Sequence, residues 1–130
     1  MKRDLLLDTN AYSDFMRGLK WKTPLSTAKK VYIPLIVVGE LRSGFQYGNQ
    51  LEKNESILQR FLSQKEVKLL LPDFETTHHY SLIFKELMNK GMKIPQNDLW
   101  IAALCAQHGL WLCTSDIHFD HIPQLLRASS

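Results

Sequence analysis

Hydrophobic positions along the chain fall in short apolar runs separated by amphipathic stretches. Arg3 to Leu7 is short and mostly apolar, which predicts a strand. Asn10 to Arg17 reads as a helix that Gly18 can end. Val31-Tyr32-Ile33, β-branched and aromatic, predicts a second strand. Pro34 suits the first turn of a helix running from Leu35 to about Gln46, although the β-branched Ile36-Val37-Val38 pulls that stretch toward strand. Leu51 to Gln64 is a clearer helix, with Leu51, Glu55, Leu58 and Leu62 near helical spacing. Val67 to Leu71 predicts a third strand, closed by Pro72. Phe74 to Lys90 predicts a long amphipathic helix with Tyr80, Phe84, Leu87 and Met88 on one face and Gly91 as its stop. Pro95 to Asn97 reads as a loop, Asp98 to His108 as a helix ending at Gly109, and Leu110 to Thr114 as a fourth strand. His118 to Leu126 holds a short helical turn and a last strand fragment.

Strands alternating with helices predict an α/β fold, with a mostly parallel central sheet covered by helices on both faces. The chain of 130 residues is one domain's worth, so residues 1–130 are expected to form a single unit. No apolar stretch approaches the ~20 residues of a membrane span. Asp8 cuts the Leu5-Leu6-Leu7 run far short of a signal peptide's apolar region. The expectation is a cytoplasmic protein with no membrane partner. Cys105 and Cys113 lack metal-ligand spacing and lie among apolar residues, so they are read as small buried hydrophobes. Net charge is +3, a weak sign of a polyanionic partner that strengthens if cations neutralise some of the acids.

Open parallel sheets place their sites at the carboxyl ends of the strands. Asp8 follows the first predicted strand and Asp116 the fourth. Taken singly, each has a structural explanation: Asp8 as a helix N-cap, Asp116 as turn chemistry. Asp98 opens a helix, where the dipole favours a negative charge. Glu40 resists such an account, because Leu35-Ile36-Val37-Val38-Gly39-Glu40-Leu41 is nearly continuous apolar sequence, and a carboxylate taken out of water needs a partner or a metal. An exposed Glu40 paired with Arg42 or Arg17 is the alternative. Taken together, the α/β layout brings strand ends and helix starts to one place. Several carboxylates sharing a cleft repel each other and stay ionised when cations sit among them. An all-oxygen set suits Mg²⁺ or Mn²⁺, ions that activate water and stabilise the leaving oxygen of a phosphodiester.

Four segments occur in order: Asp8-Thr9-Asn10, Val38-Gly39-Glu40-Leu41 with Gly44, Asn97-Asp98-Leu99-Trp100-Ile101-Ala102-Ala103, and Thr114-Ser115-Asp116 with Phe119. This set resembles the PIN-domain family, most closely the VapC-type toxins of bacterial toxin–antitoxin pairs, over nearly the whole chain. The resemblance implies a PIN-like three-layer fold and a metal-dependent endoribonuclease acting on structured RNA. It matches the family's acidic tetrad to Asp8, Glu40, Asp98 and Asp116, with Asn10 and Thr114 in support and Asp120 as an additional acid. It also implies a homodimer or a toxin–antitoxin hetero-oligomer, and inhibition by a cognate antitoxin whose C-terminal segment fills a groove beside the site. Ser115 stands where the family often has Arg or Asn.

Other readings use other residues. Asp116, His118, Asp120 and His121 would form a His/Asp zinc set, but no cysteine or third well-placed histidine completes it, and oxygen ligands already account for Asp116. Lys29-Lys30, Arg42, Lys20, Lys22, Lys85, Lys90 and Lys93 are candidate phosphate contacts, and Trp21 between two lysines is a candidate for stacking on a base. A PIN-like module that holds RNA or protein without cutting is the main alternative; loss of an acid would favour it, and all four are present. A phosphoacceptor regulator needs paired acids after the first strand, and position 10 is Asn.

Overall fold

The computed structural model describes residues 2–130. In chain order the elements are β1 (Asp4–Leu7), α1 (Thr9–Met16), α2 (Lys22–Ser26), β2 (Lys30–Pro34), α3 (Leu35–Tyr47), α4 (Leu51–Leu62), β3 (Val67–Leu70), α5 (Phe74–Asn89), α6 (Gln96–His108), β4 (Trp111–Cys113), a 3₁₀ turn (Ile117–His121) and β5 (Leu126–Arg127). The strands form one sheet in the order β3-β2-β1-β4-β5, every pair parallel.

Consecutive residues of a strand face opposite sides of the sheet. Leu5, Leu6 and Leu7 are 2, 0 and 0% exposed, so helices cover both faces of β1. The apolar triplet therefore reads as an unbroken run rather than an alternation. Each leucine buried this way stabilises the fold by roughly 1.5–3 kcal/mol. Ile33 on β2 and Leu112 on β4 extend the same core. From β1 the chain steps outward through β2 to β3, then returns to β1's other edge at β4. The strand order thus reverses between β1 and β4, and a crevice opens there at the carboxyl ends.

Several boundaries differ from those the sequence predicts. The Ile36-Val37-Val38 run is helical, and Pro34 ends β2 while also standing at the N-cap of α3. The helix predicted from Asp98 begins at Gln96, because Pro95 occupies the N-cap and accepts from Asp98 N at 3.0 Å. Asp98 is therefore the third residue of α6. The short α2 has no buried residue and hence no apolar period to announce it. On α5 the buried stripe is Thr76, Ile83 and Leu87, whereas Phe84 and Met88 are exposed. Trp21 is buried in the core and is not available to stack on a base.

Gly109 ends α6 in the left-handed region, at φ +64°. No atom lies within 4 Å of where a Cβ would sit, so the cost of a side chain is purely conformational. Gly109→Ala is expected to destabilise by about 1–2 kcal/mol. A thermal melt should register this as a loss of roughly 2–8 °C; an unchanged midpoint would contradict it.

Candidate active site

Asp8 is one residue past β1. Its Oδ1 accepts from Ala11 N at 2.8 Å, which caps α1. Its Oδ2 accepts from Thr114 Oγ1. Asp8 is thus an N-cap, as its position predicts, without being excluded from a second role. Only one carboxylate oxygen is used by the cap, yet Asp8 is 5% exposed. Burial pushes its carboxyl above the usual 3.8, the bonds from Thr114 and Ala11 oppose that, and the charges of Asp98 and Asp116 add to it.

Thr114 follows β4 and is also buried. Its hydroxyl donates to Asp8 and accepts from Asp116 N at 2.9 Å, so one side chain sets the positions of two acids. Asp116 Oδ1 in turn accepts from His118 N at 2.9 Å and caps the 3₁₀ turn. From α3, Glu40 accepts from Thr9 Oγ1 at 2.7 Å. It has no pairing with Arg42, which instead holds Glu55 with contacts of 3.0 and 2.5 Å. Asp98 reaches the site from the first turn of α6. Burial raises its carboxyl, a hydrogen bond with His118 lowers it, and Asp116 raises it again.

Asp8, Glu40, Asp98 and Asp116 line one cleft of about 230 Å³, with Thr9, Asn10 and His118. It opens at the β1/β4 crevice. Asn10 is exposed at its wall. Four carboxylates from four separate parts of the chain therefore converge. Among the described residues, no lysine or arginine lies within 4.0 Å of any of them. Such a set is chemically suited to a hard divalent cation.

The structure does not bring Asp120 to this cluster. The 3₁₀ turn carries it to the β5 side, where Arg127 Nη1 meets its Oδ1 at 3.0 Å. His121 is not among the residues lining the cleft either. His118, which the sequence argument leaves outside the acidic set, is inside it: Nδ1 lies 3.1 Å from Asp98 Oδ2 and 3.0 Å from Asp116 Oδ1. Thr9 also belongs to the site, and its place between Asp8 and Asn10 is a usable signal in the sequence. Cys105 and Cys113 are free and buried as expected, and burial pushes the Cys113 thiol up to about 12. Among the described residues no helix is long and apolar enough to cross a membrane.

The model of the PIN domain matches residues 5–125. Ribonuclease VapC2 of Rickettsia felis is 34% identical over 105 residues, spanning 78% of this chain and 75% of that protein. Ribonuclease VapC2 of Haemophilus influenzae is 32% identical over 92 residues, spanning 69% and 67%. Among solved structures, VapBC2 from Rickettsia felis bound to a DNA fragment from their promoter superposes with a TM-score of 0.78 at 28% identity, covering 96% of this chain and 97% of that one. VapBC-1 from nontypeable Haemophilus influenzae, at 23% identity and a TM-score of 0.85 over 97% of both chains, shares the fold. The sheet whose strand ends carry these acids is thus the fold of these structures as well, and the chain belongs to the PIN-domain family.

Proposed function

We propose that this protein is a metal-dependent endoribonuclease, the toxin of a VapBC-type pair, cutting structured RNA and held in check by a cognate antitoxin. The observation that carries the reading is the convergence of Asp8, Glu40, Asp98 and Asp116 on one cleft with no lysine or arginine, among the described residues, to balance them. The ribonuclease names of relatives at 34 and 32% identity support the substrate. These four residues would hold Mg²⁺ or Mn²⁺. When bound, such an ion supplies a Lewis acid that makes water nucleophilic near neutral pH and stabilises the leaving oxygen of a phosphodiester.

The chain's own residues do the positioning. Thr114 orients Asp8 and the Asp116 backbone, and Thr9 orients Glu40. Asn10 presents an amide at the wall where a substrate enters. Lys20 Nζ donates to Ser115 Oγ at 3.0 Å, one residue from Asp116. This places a cation beside the last acid of the set. An RNA phosphate arriving at the cleft would meet it. A groove between α1, α3 and α4 shares Thr9 and Glu40 with the cleft and adds Tyr12, Arg17, Phe45 and Lys53. Its mixed apolar and basic lining suits an antitoxin segment that blocks the site. Self-association into a dimer belongs to the same reading and is measured by sedimentation.

Purified protein should cleave RNA with Mg²⁺ or Mn²⁺, lose cleavage in chelator and regain it when the ion returns. Cleavage that persists in excess chelator would exclude the reading, and the absence of any divalent binding would favour a non-cutting module. Lys20→Ala should raise KM for RNA a few-fold with kcat nearly kept, and reduce the salt slope of RNA binding by about one. A salt series of binding titrations checks it; an unchanged slope would remove Lys20 from the phosphate contacts.

A further inference from the structure

The proposed reaction makes no use of His118, yet its ring is one of the best-placed groups in the cleft. The residue sits on the 3₁₀ turn after β4, where Asp116 accepts its backbone N–H at 2.9 Å. That bond fixes the turn. The ring then places Nδ1 3.1 Å from Asp98 Oδ2 and 3.0 Å from Asp116 Oδ1. One donor atom from each of the three residues lies within 4.8 Å of the others. Ligands held about 2.1 Å from an octahedral cation stand about 3.0 Å apart along each edge of the octahedron. The two contacts of Nδ1 have that length. A single ring N–H shared between two carboxylate oxygens satisfies each only in part, whereas a shared ligand sphere uses both contacts in full.

We propose that His118 Nδ1 is itself a ligand of the divalent ion, making this a mixed oxygen–nitrogen centre that favours Mn²⁺ over Mg²⁺. The inference rests on the divalent-ion reading above. Imidazole nitrogen is a ligand for first-row transition ions, whereas Mg²⁺ takes oxygen. Ligation through Nδ1 leaves the ring's proton on Nε2. The residue adds no charge, so it changes the kind of ion held more than the number of ions.

The test uses the full chain loaded with one equivalent of Mn²⁺ and read by pulsed electron paramagnetic resonance, which detects directly bound nitrogen-14. Wild-type protein should show nitrogen coupling. His118→Ala and His118→Gln should lose it while still binding Mn²⁺, with the preference for Mn²⁺ over Mg²⁺ in competition titrations falling about 10-fold. Mn²⁺ bound by the wild type without nitrogen coupling would overturn the proposal and leave the divalent-ion reading intact. Coupling that persists in both variants would also overturn it. A wild-type chain that binds no Mn²⁺ or Mg²⁺ would overturn both. The wild-type spectrum decides even if a variant fails to fold.

Discussion

Asp8→Asn is expected to abolish RNA cleavage, by more than ~100-fold, and at the same time to raise the melting temperature of the metal-free protein. Residues outside the immediate ligand set typically cost about 10–100-fold when changed, and Asp8 is proposed as a ligand. The stability gain follows from the direction of its proton affinity. Burial raises the Asp8 carboxyl above 3.8, so the folded state binds its proton more tightly than the unfolded state does. Its contribution is then fully favourable below about pH 4 and is lost as pH rises through the folded value. At neutral pH the ionised group burdens the fold. Asparagine keeps an oxygen for Ala11 N, which preserves the helix cap, and carries no charge. The variant's advantage in chelator should therefore be small near pH 4 and grow toward pH 7. Melts across that range measure it, and a variant that melts below wild type at pH 7 would refute the account. Added Mg²⁺ should stabilise wild type alone, since only it retains the full set of ligands.

Thr114→Val should cost ~10–100-fold in cleavage although valine has nearly the same shape. The change removes the hydroxyl that donates to Asp8 and accepts from Asp116 N. Two polar groups lose a partner, the Asp8 carboxylate at a buried position and Asp116 N at a partly buried one, at up to roughly 1–3 kcal/mol each. Burial raises the Asp8 carboxyl, and the Thr114 hydroxyl does most to hold it down, so without that hydroxyl Asp8 should ionise at higher pH. The acid limb of the pH–rate profile should move up in the variant, and Thr114→Ser should restore most of it. A variant with diminished stability and an unmoved acid limb would assign Thr114 a purely structural role.

How much of this was legible depended on whether the determining contacts were local. Leu5-Leu6-Leu7 followed by Asp8 reads directly as a buried strand with an acid at its end. Glu40 stood out because an apolar helix surrounds it. Thr114 and Asp116 followed from the end of β4. His118 was not legible, since its approach to Asp98 depends on a 3₁₀ turn meeting a helix that starts more than 20 residues earlier in the chain. Asp120 stands apart from the cluster because Arg127, seven residues on, pairs with it, a contact that residue type and spacing alone do not announce. Phe84 and Met88 looked like core by type, but the stripe that packs includes Thr76, a polar residue whose hydroxyl donates to Gln107 Oε1. Trp21 adopts a left-handed backbone at φ 73°, which composition gives no reason to expect of tryptophan.

The reversal of strand order at β1 and β4 also sets a timetable for synthesis. Asp8 emerges well before its partner Thr114, which lies 106 residues later. At roughly 5–20 residues per second, the ribosome needs about 5–20 s to make the intervening chain. Throughout that interval the growing polypeptide has Asp8 and then Glu40, but neither β4 nor the acid behind it. The cluster therefore cannot close on a nascent chain, and an enzyme that attacks RNA would be made by its own ribosome in a form unable to cut.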